Sequence, residues 1–378
     1  MEAQVTAEIL RELLNVPDPR TPNRYHLFGD ILTIALFAVI AGADGWVQVE
    51  SYGQRKKPWL KTFLELPYGI PSHDTFGRVF AAIDPEELEK CFLAWMSGLV
   101  ALSGGKLVAI DGKSLRRSFE HAWDKSGMAH MVSAFVAANK LVFAQVKTLG
   151  KGQELDGIER LLQLLDLQGA VVTIDALGCN RNIAERILQA KGDYLLQVKA
   201  NQETLQVKMQ NLMKEYELEK FAGVDHDYYS ETDGDHGRIE TRRVWVVWDV
   251  KDLGDLAWQW PELQSLVIVQ RTRDVNGVVS CERHYYISSL GCKVRAKRMA
   301  EYVRGHWSVE NNLHWQLDIS FKEDQRRIRK GHGAENFSRL CRIALNLLKR
   351  EKTNKKGIDS KRKDAGWDDQ YMLKVIAA

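Results

Sequence analysis

Hydrophobic spacing divides the chain into stretches of different texture. Through residue 103 the apolar positions recur at helical intervals and predict helices over 8–14, 29–41, 72–80 and 85–102. Pro85 suits the first turn of the last of these. From residue 106 the pattern changes to short β-branched runs at 107–110, 129–137 and 141–148, with Asn139-Lys140 where a tight hairpin turn would sit. Leu155, Ile158, Leu161, Leu162 and Leu165 then return to helical spacing and lead through Gly169 into a strand over 170–174. That is the shape of a crossover to a parallel strand. A helix over 182–191 and a strand over 194–198 follow.

The resulting order, β-β-β-α-β-α-β, is that of a ribonuclease H-like core. The predicted class is therefore α/β, a mixed sheet whose core begins at 104–205 behind an N-terminal helical domain of residues 1–103. Residues 206–292 break the rhythm with a helix and then β-like runs at 238–247, 263–273 and 284–289, which predicts a β-rich insertion. The core resumes over 293–350 with a helix at 297–321 and a closing helix at 334–349. Beyond 351 the chain is polar and basic. Residues 352–363 lack apolar periodicity, which predicts a flexible tail over 351–378 that orders only on a partner.

Two of the apolar strands end in an acid: Leu-Val-Ala-Ile-Asp111 and Val-Val-Thr-Ile-Asp175. Strands this apolar are covered on both faces, so a carboxylate at each C-terminal end is pushed toward a crevice beside the sheet edge. Glu310, among Trp307, Leu313 and Trp315, could join them from a helix, where an unpaired charge would be costly. Three carboxylates suit a pair of Mg2+ (or Mn2+) ions held about 4 Å apart for phosphoryl chemistry. His314 and Asp318 follow on the same helical face as Glu310, either as supporting groups or as packing and ion-pairing residues.

Charge sharpens this picture. The net charge is only +3, yet between Lys293 and Lys363 twenty Lys or Arg face eight Asp or Glu, a local surplus of +12 around Glu310. A surplus of this kind predicts a polyanionic partner, the alternative being a solvated helix face and tail. Five cysteines without a Cys-x-x-Cys pair argue against a zinc ribbon or disulfide framework and fit a reducing cytosol. The longest apolar run, Ile31 to Gly42, is too short for the roughly 20 residues of a membrane span. No export leader opens the chain, so the expected place is the cytoplasm, in association with the nucleoid.

Several short stretches, in order, carry a resemblance: Pro71-Ser-His-Asp-Thr-Phe76, Ile110-Asp-Gly-Lys-Ser114, Val132-Ser-Ala-Phe135, Thr173-Ile-Asp-Ala-Leu-Gly178, Lys199-Ala-Asn-Gln202, His236-Gly-Arg-Ile-Glu-Thr-Arg242 and His306-Trp-Ser-Val-Glu-Asn-Asn-Leu-His-Trp315. Through them nearly the whole chain resembles bacterial insertion-sequence D,D,E transposases of the H-repeat-associated group. The resemblance implies a ribonuclease H-like fold with Asp111, Asp175 and Glu310 as metal ligands. Relatives often carry Tyr-x-x-Arg before the glutamate and a Lys seven positions after it; here Val303, His306 and Leu317 stand there, so those contacts are not carried over.

The expected activity is magnesium-dependent phosphodiester hydrolysis and strand transfer on double-stranded DNA, at terminal inverted repeats and at the target, by a chain that pairs as a homodimer on DNA. The alternatives are a domesticated nuclease with the same triad and a DNA-binding remnant of a mobile element. Candidate DNA contacts are Lys113 and Arg116 after the first aspartate; Lys199, Asn201 and Gln202 after a core strand; and His236, Arg238 and Arg242, which alternate on one strand face. His314 and the run Arg326, Arg327, Arg329 and Lys330 complete the set, with Lys322, Arg339 and Arg342 tracking phosphates beside that run. Each has a bland counterpart, a solvated loop or a salt-bridged surface. Trp245, Trp248, Trp258 and Trp260 read as core rather than as base-stacking platforms.

Overall fold

The computed structural model describes residues 7–21, 25–100, 106–119, 128–148, 152–235 and 238–378. Five helices come first: α1 (Glu8–Leu13), α2 (Phe28–Ile40), α3 (Trp46–Leu60), α4 (His73–Ala82) and α5 (Pro85–Leu99). Helix α3 escapes sequence reading because its polar positions show no apolar stripe and Pro58 lies inside it. The central stretch runs β1 (Leu107–Ser114), β2 (His130–Val136), β3 (Leu141–Thr148), α6 (Glu154–Gln163), β4 (Val171–Ile174), α7 (Arg181–Gln189), β5 (Asp193–Val198) and α8 (Glu203–Leu218). It continues through β6 (His226–Asp235), β7 (Arg238–Val247), α9 (Asp255–Trp258), β8 (Ser265–Val275) and β9 (Val278–Ser288). Helices α10 (Ala296–Val309), α11 (Trp315–Ile319), α12 (Gly333–Arg350), α13 (Ile358–Trp367) and α14 (Asp369–Ile376) follow.

The nine strands among the described residues belong to one mixed sheet in the order β3-β2-β1-β4-β5-β9-β8-β7-β6. β1 to β3 form an antiparallel meander, β4 and β5 run parallel to β1, and β9 joins antiparallel to β5. The β-rich stretch thus extends the sheet rather than standing apart from it. Both faces are covered. Leu107, Val171, Leu195, Val244 and Val267 pack with Met299 and Tyr302 of α10, while Val108, Ile110 and Val172 join the larger core. Gly305 lets α10 lie directly on β1, since a Cβ there would come within 2.2 Å of Leu107.

Helix α12 is buried almost throughout and packs against α2, α4, α5 and β3. Its polar residues meet backbone groups that need partners. Asn336 Nδ2 donates to the carbonyls of Phe80 and Ile83, both at 2.9 Å, where α4 ends. Asn346 Nδ2 donates to Val142 at 2.7 Å and its Oδ1 accepts from the Val142 amide at 3.0 Å.

The expected flexible tail is folded. Its basic residues end other helices: Arg362 donates to the carbonyls of Val39 and Ser320 and stacks on Phe321, and Lys361 donates to Leu348 at 2.8 Å. Open carbonyls at helix C-termini attract cations. Order here comes from buried charge, which a search for apolar periodicity does not see. Among the described residues no helix is long and apolar enough to cross a membrane.

Candidate active site

Strands β1 and β4 lie side by side and parallel, with Ile110 opposite Ile174. The next residue on each is an acid, so Asp111 and Asp175 leave the same end of the sheet from adjacent strands. β4 stops there, while β1 continues paired only with β2. Asp175 accepts a hydrogen bond from the Leu177 amide at 3.2 Å and opens a tight turn. Gly178 completes the turn; a Cβ there would sit 2.1 Å from Ile174.

The two aspartates feel each other. Burial pushes the Asp175 carboxyl up, and the nearby Asp111 charge pushes it further. Burial also pushes Asp111 up, but His314 and His306 outweigh it and hold that carboxyl below its ordinary range. His314 Nε2, buried, lies 3.0 Å from Asp111 Oδ2, close enough for an ion pair but not aligned as a hydrogen bond. His306 stands 3.0 Å from Thr173 Oγ1 on β4, and burial lowers its pKa.

Glu310 arrives from α10 at a break in the helix. Residues 310–314 form a π-helical turn, a widened turn often found at functional sites. Lys349 Nζ from α12 donates to the Asn312 carbonyl within it at 2.7 Å. Glu310 is exposed, as are Trp307 and Trp315, so the expected costly apolar setting is absent. It shares with Asp111, His314, Asp318 and Lys113 the wall of a cavity of about 900 Å3.

The donor set fits a hard divalent cation in chemistry: three carboxylates, one of which, Asp175, is destabilised by burial and by the charge of its neighbour Asp111. As they stand, no three acidic, His or Cys side chains among the described residues are grouped as a ready-made metal site. The expected convergence of all three on one ion is therefore not formed in this conformation. Asp111 is taken up by His314 and Asp175 by its own turn.

The remaining expected residues divide. Lys113 is half-buried and salt-bridged, 2.7 Å from Asp318 and 3.7 Å from Asp324, while Arg116 reaches Asp324 at 3.0 Å. Asn201 donates to the Ala176 carbonyl at 2.5 Å and Gln202 to that of Cys179 at 3.0 Å, so these amides brace the loop after Asp175 instead of projecting free. Lys199 is exposed. His236 lies outside the described residues. Arg238 and Arg242 pair with the buried Glu240.

The basic run is less available than its charge suggests. Arg326 stacks on Phe337 and donates to the Asp44 and Phe321 carbonyls; Arg329 lies over Phe119. Arg327 and Lys330 are exposed. Arg339 and Arg342, expected to track phosphates, are core residues paired with Glu89 at 2.7 Å and Glu323 at 2.9 Å. Among the four tryptophans, Trp260 is buried and Trp245 packs against the core, but Trp258 is 90% exposed. Sequence reading missed Asp324, which stands in an acidic pair Glu323-Asp324, and the bracing role of Lys349, for which no signal exists in the sequence.

Residues 102–347 match the family described as "Transposase DDE domain", and residues 10–96 match the region described as "DDE_Tnp_1-associated". In Escherichia coli (strain K12), the H repeat-associated protein YhhI, named as a transposase, is 37% identical over 379 residues, covering 98% of both chains. YbfL of the same strain is 36% identical with the same coverage. YncI of Escherichia coli O157:H7, also named as a transposase, is 38% identical over 367 residues, 96% of this chain and 93% of that one. Among solved structures, a piggyBac transposase synaptic complex with hairpin DNA overlaps more loosely, at TM-score 0.43 and 12% identity over 98% of this chain and 76% of that one.

Proposed function

From the premise that this chain belongs to the DDE transposase family, in its H-repeat-associated group, we propose that it hydrolyses phosphodiesters at the ends of an insertion element and transfers the freed 3′ ends to target DNA. One observation carries the chemical part: adjacent parallel strands bring Asp111 and Asp175 side by side, where β4 stops and β1 runs on, next to a cavity that Asp111 and Glu310 line. In this reading β1 to β5 are a ribonuclease H-like core, residues 1–103 an associated helical domain and 206–292 an insertion that lengthens the sheet.

Asp111, Asp175 and Glu310 would hold Mg2+ or Mn2+, which when bound would supply charge stabilisation for the attacking and leaving oxygens. The protein's own groups do the positioning. Thr173 and His306 tie α10 to β4, and Lys113, held by Asp318, sets a cation beside the reacting phosphate. Exposed Lys199, Arg327 and Lys330 meet neighbouring phosphates, and two copies of the chain hold two ends.

The test is Glu310→Gln, assayed for DNA binding in chelator and for cleavage in magnesium. Binding should persist while cleavage falls by about three orders of magnitude or more, as losses of a charged catalytic group do. Retained cleavage would remove Glu310 from the site. Cleavage without joining of the product to a second DNA would mark a nuclease instead of a transposase.

A further inference from the structure

Glu310 borders a second cavity, one that Asp111 does not line. It is about 310 Å3 and lies between α10 and the face of β7 to β9. Its chemistry differs from that of the first. Cross-strand register sets Glu240 opposite Arg273 and Arg242 opposite Arg271, so side chains of β7 and β8 gather on one face. Four guanidiniums surround the single carboxylate of Glu240: Arg238 at 2.6 Å, Arg271 at 3.2 Å, Arg273 at 3.5 Å, and Arg242 in close contact. Glu240 is only 2% exposed and cannot leave.

Glu231 takes a share of Arg242 at 3.2 Å, but two carboxylates still cannot satisfy four guanidiniums, each with five donors. The imbalance is visible. The Nε of Arg271 is buried without a hydrogen-bond partner, and that of Arg273 faces Glu240 at 3.5 Å without aligning as a hydrogen bond, an arrangement that leaves donors for a further acceptor. Around these donors the wall is apolar, with Val244, Val269 and Tyr286, and Trp307 closes the rim. A site of this make-up takes an oxyanion carrying a less polar group.

We propose that this cavity is a phosphate subsite: it holds a phosphodiester of the same DNA strand, next to the one at Asp111, with Glu310 bordering both cavities. The inference rests on the transposase reading for the identity of the strand. The anion chemistry rests on the arginines alone. A strand laid across Glu310 would place one phosphate in each cavity.

The experiment uses the full chain in EDTA. First, thermal melting is compared in inorganic phosphate and in chloride of equal ionic strength. Phosphate should raise the melting temperature of wild type and not of Arg271→Ala, in which Glu240 keeps three arginines. Glu240→Gln removes the competing anion and should bind phosphate at least about threefold more tightly, a gain that misfolding cannot imitate. Second, a duplex with unpaired 3′ nucleotides is given a neutral methylphosphonate at one linkage at a time. Wild type should lose about tenfold at one linkage, the worth of a charge-assisted hydrogen bond, and Arg271→Ala should lose nothing more there. Equal phosphate responses of wild type and Arg271→Ala, or DNA binding with no linkage coupled to Arg271, would overturn the subsite and leave the transposase reading standing. A wild type that answers to phosphate but binds no DNA would bring down both.

Discussion

His314 Nε2 approaches Asp111 Oδ2 to 3.0 Å, so the first aspartate of the site already has a buried imidazole against it. The contact spans from the π-helical turn after α10 to the middle of β1, and thereby fixes the turn that carries Glu310 against the strand that carries Asp111. His314→Ala should lower DNA cleavage by about 10- to 100-fold, the usual effect of removing a group that orients a ligand. Binding of DNA in chelator should stay within about twofold, because the histidine is buried and its loss removes no phosphate contact. A matched fall in binding and cleavage would place His314 on the DNA instead.

Arginines in the basic stretch separate into two kinds, and substitution should tell them apart. Arg342 and Glu323 are fully buried and 2.9 Å apart, so Arg342→Ala leaves a carboxylate stranded in the core and should cost about 3–5 kcal/mol in urea unfolding. Arg327 is exposed. Arg327→Ala should leave stability within about 0.5 kcal/mol but reduce the slope of log affinity against log salt by about one unit. The same stability loss at both positions would contradict the assignment.

This division also shows what sequence could and could not reveal. Asp111 and Asp175 were legible because apolar β-branched runs stop abruptly at an acid, but only β4 ends there; β1 runs on to Ser114, paired with β2, which its polar residues did not foretell. Helix α3 was not legible, since its burial rests on Val49, Gly53 and Leu60 among polar neighbours. Nor was the joining of β9 to β5, a pairing between residues far apart in sequence. The charge surplus misled most. A buried guanidinium that ends a helix, such as Arg362, and one that meets a phosphate look the same in a sequence, and only packing distinguishes them.

Glu351 gives a pH signature for the folded tail. Burial pushes its carboxyl up, but hydrogen bonds from the hydroxyls of Thr353 and Tyr371 and from the backbone of Thr353 and Asn354 outweigh this and hold it down at about 2. A depressed carboxyl stabilises the fold above its unfolded value of 4.5 and loses that contribution as pH falls toward about 2. The stability difference between wild type and Glu351→Gln, from denaturant melts, should therefore be largest above about pH 5 and shrink steadily below it. A difference independent of pH would mean that the carboxyl is not charged in the fold.

Lys349 holds the turn of Glu310 from behind. Its Nζ donates to the carbonyls of Asn312 at 2.7 Å and Lys140 at 2.6 Å and lies 5.3 Å from the centre of the Phe135 ring. A π-helical turn leaves carbonyls without regular partners, and this ammonium supplies one. Burial pushes its pKa down to about 7, against 10.5 in the unfolded chain, with Lys140 and Lys352 adding to the effect. Between those values the unfolded chain binds the extra proton, so the fold gains stability as pH rises from about 7 toward 10. Lys349→Met keeps the length and the ring contact but neither titrates nor donates. Relative to this variant, wild type should gain stability between pH 6 and pH 9, with the two melted in parallel so that other titrations cancel. Cleavage by the variant should fall about tenfold at pH 7.5, because a loosened turn misplaces Glu310. A stability difference that stays flat from pH 6 to pH 9 would show that Lys349 keeps its charge in the fold, and full cleavage by the variant would show that the turn holds its shape without the brace.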